Sequence, residues 1–273
     1  MDNDSYIPNA ESSRTTMSFG GNGQLDNGLF LSGTINYTNT FQQAPQSGGS
    51  AFNDYFTGAS IAGSPGNSAG AGSIFARLFY LPRNFDLNGL PFENPVNGNN
   101  VFYRALDNPR WIAKYNLYTS EVNRAYGSMT ASYDVTDWLT VLARGGMNTY
   151  HDSRRSIIRK GGLLIPNGEV WTEDLSYTEQ NYDFTATANK DFGNLSVNAL
   201  VGLNMQQRDL NRRRVTGSNI ISTGLNKTDA TSTQIVDYDY NLLRRLYAVY
   251  TNVVLGYNDY LYLTLTGRND WSS

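Results

Sequence analysis

The chain has 273 residues, with 24 Asp and Glu against 21 Lys and Arg, and a formal charge of -3 gives no global attraction to nucleic acid. It contains no cysteine, which excludes a disulfide framework and thiolate chemistry and suits an envelope or secreted protein that does without bridges. No apolar run reaches the roughly 18 residues of a membrane helix, yet a β-strand crosses a bilayer in roughly 9–11 residues with every second side chain polar, so a membrane location stays open.

The amino-terminal run MDNDSYIPNAESS has neither the basic start nor the apolar core of a signal peptide. For an exported protein the expectation is a mature chain or one given without its beginning. Thr15, Met17 and Phe19 then alternate with polar neighbours, and after a Gly/Asn-rich turn so do Leu29, Leu31, Gly33, Ile35 and Tyr37. Residues 40–75 are rich in Gly, Ser and Ala and carry no period, and a Pro/Asn-rich stretch covers 80–121. Within it, DNPRWIAKYN places Asn108 as a helix cap with Pro109 at the first helical position, or else marks a strand entry, with Trp111 as an anchor.

The next hairpin sets Ala125, Gly127, Met129, Ala131 and Tyr133 on one face, turns at DVTD, and resumes with Leu139, Val141, Ala143, Gly145 and Met147. A third sets Tyr182, Phe184, Ala186 and Ala188 before a DFGN turn and Leu195, Val197, Ala199, Val201, Leu203 and Met205 after it. A fourth runs from Arg244 through Tyr247, Val249, Val253 and Leu255, turns at Asn258-Asp259 and continues as YLYLTLTGRNDW. Its sorting is poorer, with Leu246, Ala248, Val254 and Leu261 expected among the polar set. A period of two over such lengths means a sheet with one apolar and one polar side. Long links are expected at about 151–179 and 208–243, so tight turns fall on one rim and long loops on the other.

That asymmetry is the arrangement of outer-membrane barrels, which also place aromatic girdles at both interfaces. Tyr133, Trp138, Phe192, Tyr257 and Tyr260 flank the tight turns, and Tyr126, Tyr150 and Tyr182 lie toward the other end. A soluble β-sandwich or barrel also alternates, and remains the alternative. The polar face, with Ser128, Thr130, Ser132, Thr140, Arg144, Asn148, Thr185, Thr187, Ser196, Asn198 and Asn204, lines a lumen in the first case and is wet surface in the second.

Two basic clusters, Arg154, Arg155, Arg159 and Lys160, and Arg212, Arg213 and Arg214, are read as solvated loop charge or as contacts to anionic lipid or a partner. His151 is the only histidine and has no ligand set around it. Asp237 and Asp239 lack a calcium-loop register and read as strand or loop residues. Glu173 and Asp174 are read as loop-edge charges rather than a glycosidase pair. No catalytic triad motif or phosphate loop occurs, so no residue receives a catalytic, cofactor or metal role, and an enzyme is not expected.

LPRNFDLNGLPFENP at 81–95, DNPRW at 107–111, YDVTDWLTVLARGG at 133–146, FGNLSVNALVGLN at 192–204 and YLYLTLTGRNDWSS at 260–273 together resemble the SusC/RagA family of TonB-dependent outer-membrane transporters. The resemblance covers about 80–273, and TGRNDWSS is its most specific run. It implies an all-β chain forming a portion, about eight to ten strands, of a twenty-two-stranded antiparallel transmembrane β-barrel with long extracellular loops. It further implies nutrient import of glycans or peptides, energised through TonB, with a SusD-like surface lipoprotein lidding the mouth and outer-membrane lipid around the wall. The whole of 1–273 is then a partial barrel domain without a recognisable plug, expected not to transport alone, with the loops at 40–75, 151–179 and 208–243 as candidates for substrate or lid contact. A non-transport β-rich surface or secreted binding protein is the alternative.

Overall fold

The computed structural model describes residues 2–45, 74, 78, 81–102, 107–163, 165–258 and 260–273. These form one antiparallel nine-stranded sheet in which every strand pairs with its sequence neighbours. In chain order the strands are β1 (Asp2–Asp4), β2 (Glu11–Gln24), β3 (Phe30–Pro45), β4 (Leu117–Thr136), β5 (Leu139–Ile158), β6 (Glu169–Phe192), β7 (Leu195–Ile220), β8 (Thr231–Tyr257) and β9 (Leu261–Ser272), with a helix α1 (Pro109–Tyr115) before β4. The strand count falls inside the eight to ten expected. A meander of this kind needs only local turns, which the sequence supplies with Gly28 and Gly193 at positive φ and with Asn258, a residue tolerant of that region.

Two of the expected long loops are strand. β5 and β6 run straight through 151–158 and 169–179, and β7 and β8 through 208–220 and 231–243, leaving short links of 159–168 and 221–230. β3 likewise continues to Pro45, while residues 46–73 of the expected 40–75 loop lie outside the described residues. Strands of 24, 26 and 27 residues far exceed the roughly 9–11 needed to cross a bilayer.

The register carries one face from edge to edge. Phe19 faces Ile35, Gly127 faces Met147, Phe184 faces Leu203, and Leu203 faces Val249. Every apolar series expected from the sequence lands on this face, joined by Leu261, Leu263 and Leu265 opposite Tyr257, Leu255 and Val253. Leu261 therefore belongs to the apolar set, contrary to expectation, because the link after Tyr257 restores its parity. Tyr126 and Tyr150 leave the expected girdle: they pair across strands with Asn148 and Tyr177 on the polar face.

Glycines on this wall make room for aromatic rings. A Cβ on Gly202 would fall inside the Tyr250 ring, and one on Gly145 would touch Tyr182 at 3.4 Å. Gly202→Ala should displace the Tyr250 ring and destabilise the sheet by about 1–3 kcal/mol. A thermal unfolding midpoint equal to that of the parent in Gly202→Ala, with Gly21→Ala as an unobstructed control, would count against this packing.

Candidate functional site

The apolar face is a band of defined height. On β7 it runs from Leu195 to Met205 and then turns polar with Gln207, Asp209, Asn211 and Arg213 on the same face. Ten residue steps at about 3.3 Å, at the tilt of about 40° usual in transmembrane barrels, give a height of roughly 25 Å, that of the apolar belt of such barrels. Aromatic rings bound it on both sides: Tyr133, Trp138, Phe192, Tyr257 and Tyr260 at the turn end, and Tyr37, Tyr182, Tyr247 and Trp271 at the other, all exposed. Leu203 is 48% and Leu265 54% exposed, so no second sheet covers these side chains among the described residues.

The band also reports the tilt of the strands. One hydrogen-bonded row joins Tyr37, Ala125, Thr149, Thr178, Asp209 and Leu243. On β3 the aromatic upper edge, Tyr37, lies on that row, whereas on β8 it is Tyr247, four residues nearer the turn. The lower edge slips further, from Leu31 on β3, six residues below the row, to Tyr257 on β8, fourteen below it. Over the five strand steps between them these slips correspond to roughly 30–50° of tilt at about 4.8 Å per strand, which brackets the roughly 35–45° of transmembrane barrels.

The opposite face is polar over the same height. Ser128, Thr130, Arg144, Asn148, Thr185, Asn198 and Asn204 all lie on it, as the alternation predicts. Its side chains bond to one another: Asn204 Nδ2 donates to Asp183 Oδ1 at 2.7 Å, and Glu179 accepts from Tyr177, Gln206 and Arg208 at 2.9, 2.6 and 3.1 Å.

Beyond the band this face becomes a charged and aromatic cluster. Glu173 is buried and accepts from Arg212 Nε at 2.5 Å, with Arg154 at 3.8 Å, while buried Asp152 takes Arg154 at 2.6 Å and the Ser120 hydroxyl at 2.9 Å. The Arg214 guanidinium lies 4.1 Å over the Trp171 ring. Arg154, Arg212 and Arg214 are thus strand residues held by partners on the polar face, not solvated loop charge. Arg213 faces the other way, exposed, 3.7 Å from Asp239. Arg155 also lies on that outer side and reaches the Asn226 carbonyl, and Lys160 Nζ donates to the Ile220 carbonyl at 2.9 Å. Glu173 is accordingly a buried ion-pair centre rather than a loop-edge charge, whereas Asp174 is exposed beside His151 at 3.7 Å. His151 also bonds Ser176, and no group of three metal-ligating side chains occurs among the described residues. Asp237 sits at the register shift opposite Arg214, 3.2 Å from its Nε.

The far rim is stitched together by side chains. α1 forms as its sequence indicates, with Asn108 Oδ1 accepting from the Arg110 amide at 3.0 Å and Pro109 in the first turn. Trp111 is fully buried and donates to the Gly98 carbonyl. Arg110 Nη1 binds the carbonyls of Leu87 and Asn88 at 3.1 and 2.9 Å, pinning the 81–102 segment to the helix. At the centre Glu93 accepts from Tyr115 Oη at 2.7 Å and Lys114 Nζ at 3.0 Å, with Arg159 Nη1 at 3.8 Å and its guanidinium over the Tyr115 ring at 3.7 Å. Glu93, Tyr115 and Asp152 carry no motif of their own, because most of their partners lie 21 to 66 residues away in sequence.

Burial pushes the Glu93 carboxyl up, but the hydrogen bonds from Tyr115 and Lys114 and the charges of Lys114 and Arg159 outweigh it and hold it below its ordinary value. Lys114 is held above its ordinary value chiefly by hydrogen bonding to Tyr115 and Glu93. A depressed carboxyl adds stability above its unfolded pKa and loses it as pH falls through the folded one.

No protein-family model matches the chain, and no curated protein matches it. Among solved structures, a chain of the RagAB peptide transporter superimposes on 96% of this one with a TM-score of 0.71 at 15% identity. The RagAB peptide importer in its "open-open" and "closed-closed" states gives 0.68 and 0.67 over 97% of this chain, also at 15% identity. The ferric preacinetobactin receptor BauA from Acinetobacter baumannii gives 0.50 over the whole chain at 11% identity and is itself covered to 36%. The fold is therefore that of a portion of a large antiparallel β-barrel wall. More particularly, the similarity is to transporter chains of the RagAB kind at the level of fold, and the chain spans about 28% of their length.

Two outcomes follow from the clusters. As pH falls below the ordinary carboxylate range, hydrogen exchange in Pro109–Tyr115 should accelerate beyond its intrinsic pH dependence, and Glu93→Gln should remove that acid step; exchange in the parent that follows only the intrinsic pH dependence would refute it. Glu173→Ala, which strands Arg212, should cost about 3–5 kcal/mol in unfolding, and Glu173→Leu with Arg212→Met should cost less than the single change.

Proposed function

We propose that the chain is wall and extracellular rim of a TonB-dependent outer-membrane transporter of the SusC/RagA type, a non-catalytic protein that imports glycans or peptides. The whole of 1–273 is then barrel domain. The observation that carries this reading is the exposed apolar band, about 25 Å high and bounded by aromatic rings, backed by a polar face. A sheet in hydrocarbon must pair every backbone group, so β1 and β9 in this reading meet further strands of a closed barrel. The tight turns face the periplasm and the extended strands stand roughly 40 Å above the band, β7 continuing fifteen residues past Met205.

The fold likeness to RagAB chains supports transport and supports a two-component assembly, in which a SusD-like surface lipoprotein seats on the rim formed by 81–102, α1 and the links 159–168 and 221–230. TonB engages the transporter through its plug. A secreted binding protein, the alternative, requires a partner layer over Leu195, Val201 and Leu203, which are exposed here.

The absence of cysteine makes the test direct. Single changes Val201→Cys and Leu203→Cys in the full-length protein, labelled with a small fluorophore in proteoliposomes, should be quenched by brominated acyl chains. Asn211→Cys, on the same face beyond the band, should not be. Equal quenching at all three positions, or none at 201 and 203, would remove the membrane assignment.

A further inference from the structure

On the polar face, level with the aromatic upper edge of the band, lies a groove of about 360 Å³ lined by Asn36, Arg124, Tyr126, Ser128, Asn148 and Glu179. It opens where Gly146, between Ser128 and Asn181 on the neighbouring strands, has no side chain to fill it. We propose that this groove is an oxyanion site that takes a carboxylate, and that together with Arg144 it makes the wall selective for solutes carrying several carboxylates. The proposal rests on the transporter reading and adds to it the sign of the charge on the cargo.

Charges and donors on this face are unequally spent. The carboxylates beside the groove are taken: Glu179 accepts from Arg208 at 3.1 Å and from Tyr177 and Gln206, and Asp183 accepts from the amides of Asn181 and Asn204. Two arginines have no carboxylate. Arg124 is exposed, its Nε donates to the neutral Asn148 Oδ1 at 2.9 Å, and its guanidinium carbon lies 4.9 Å from the centre of the Tyr126 ring. Its Nη1 and Nη2 hydrogens meet no acceptor among the described residues. Arg144 is exposed opposite Asp183 in the ladder and has no hydrogen bond or ion pair from its side chain among the described residues.

The free end of the Arg124 guanidinium is a planar fork that fits the two oxygens of a carboxylate. Around it Asn36, Ser128 and the Asn148 Nδ2 group likewise have no side-chain acceptor among the described residues, so the lining offers donors about one uncompensated positive charge. One such charge balances a carboxylate, whereas a phosphate monoester would bring roughly a second negative charge with nothing to meet it. Glu179 does not reverse the sign, because Arg208 is its counter-charge. Arg124 shares a row with Tyr150, and from there to Arg144 along β5 is roughly 20 Å at about 3.3 Å per residue. A single group cannot meet both arginines, but an oligomer with repeated carboxylates can. Fixed arginines on a channel wall favour anions in the same way as the arginine rings of anion pores.

The full-length protein in detergent is titrated by calorimetry at low salt with two acidic probes, hexaglutamate and hexagalacturonate, and with their neutral counterparts, hexaglutamine and maltohexaose. At least one acidic probe should bind about tenfold or more tighter than its neutral counterpart, and the advantage should shrink as salt is raised. Which acidic probe binds tells whether the carboxylate belongs to a peptide or to a uronic acid. Arg124→Gln and Arg144→Gln should each raise the Kd of that probe about tenfold, and Arg124→Lys, which keeps the charge and loses the fork, should raise it less. Arg213→Gln, on the outer face, should leave it unchanged. Both arginines are exposed, so these variants should keep the thermal midpoint of the parent. Equal affinity for acidic and neutral probes, no binding of either acidic probe, or acidic-probe affinity indifferent to Arg124→Gln and Arg144→Gln would overturn the proposal. Acyl-chain quenching at 201 and 203 reads the transporter assignment separately, so a membrane-embedded protein with no preference for acidic probes refutes the oxyanion site alone.

Discussion

The parity of the cross-strand ladder is the constraint on which everything else in this wall depends. A shift of one residue in any pairing would turn every apolar side chain of the following strand to the polar side. From Met17 on β2 to Trp271 on β9 the parity holds through every pairing of the band. The two register shifts fall where they do no harm: one at Asp134/Thr136, beside the tight turn, and one at Arg214/Val215, far beyond the upper aromatic edge. Bulges are thus tolerated only where a side chain may change faces without meeting the wrong solvent.

The same ladder explains how one sheet can carry two unlike regions. Within the band, contrast between faces is strong, and stability comes from matching each face to its surroundings rather than from a buried core. Beyond the band both faces carry polar residues, and the strands are held by cross-strand ion pairs and stacked rings, of which Glu173 with Arg212 and Arg214 over Trp171 are the most buried. The buried hydrophobic cluster is small and sits at the rim, where Ile112 and Ala113 of α1 pack with Ile74 and Ile7. Among the described residues this cluster at the rim is the part built as an ordinary globular core.

This division decides what can be read from the sequence. The band is legible because its two faces differ in hydropathy, so Leu195, Val197, Ala199, Val201 and Leu203 announce a strand. The segments 151–158, 169–179, 208–220 and 231–243 lack that signal: in a strand such as Arg208-Asp209-Leu210-Asn211-Arg212 both faces hold charged or amide residues, so strand and solvated loop look alike. Their pairing is set by distant partners instead, Glu173 by Arg212 and Arg155 by Asn226. α1 was legible for the opposite reason, since its cap and Pro109 are local.

Strand tilt sets the order in which these regions follow one another. Because the strands lean by roughly 30–50°, rows of paired residues climb across the sheet rather than crossing it at one level. Tyr126 and Asn148 share one row of the polar face, the stacked Tyr150 and Tyr177 the next row on that face, and the Glu173 and Arg154 cluster lies further along the same strands. The polar face therefore passes along the strands from an ion-paired region to a region of amides and tyrosines. Nearer the tight turns the same face carries Thr130, Arg144, Asp183 and Asn204 on one row, where Asn204 donates to Asp183.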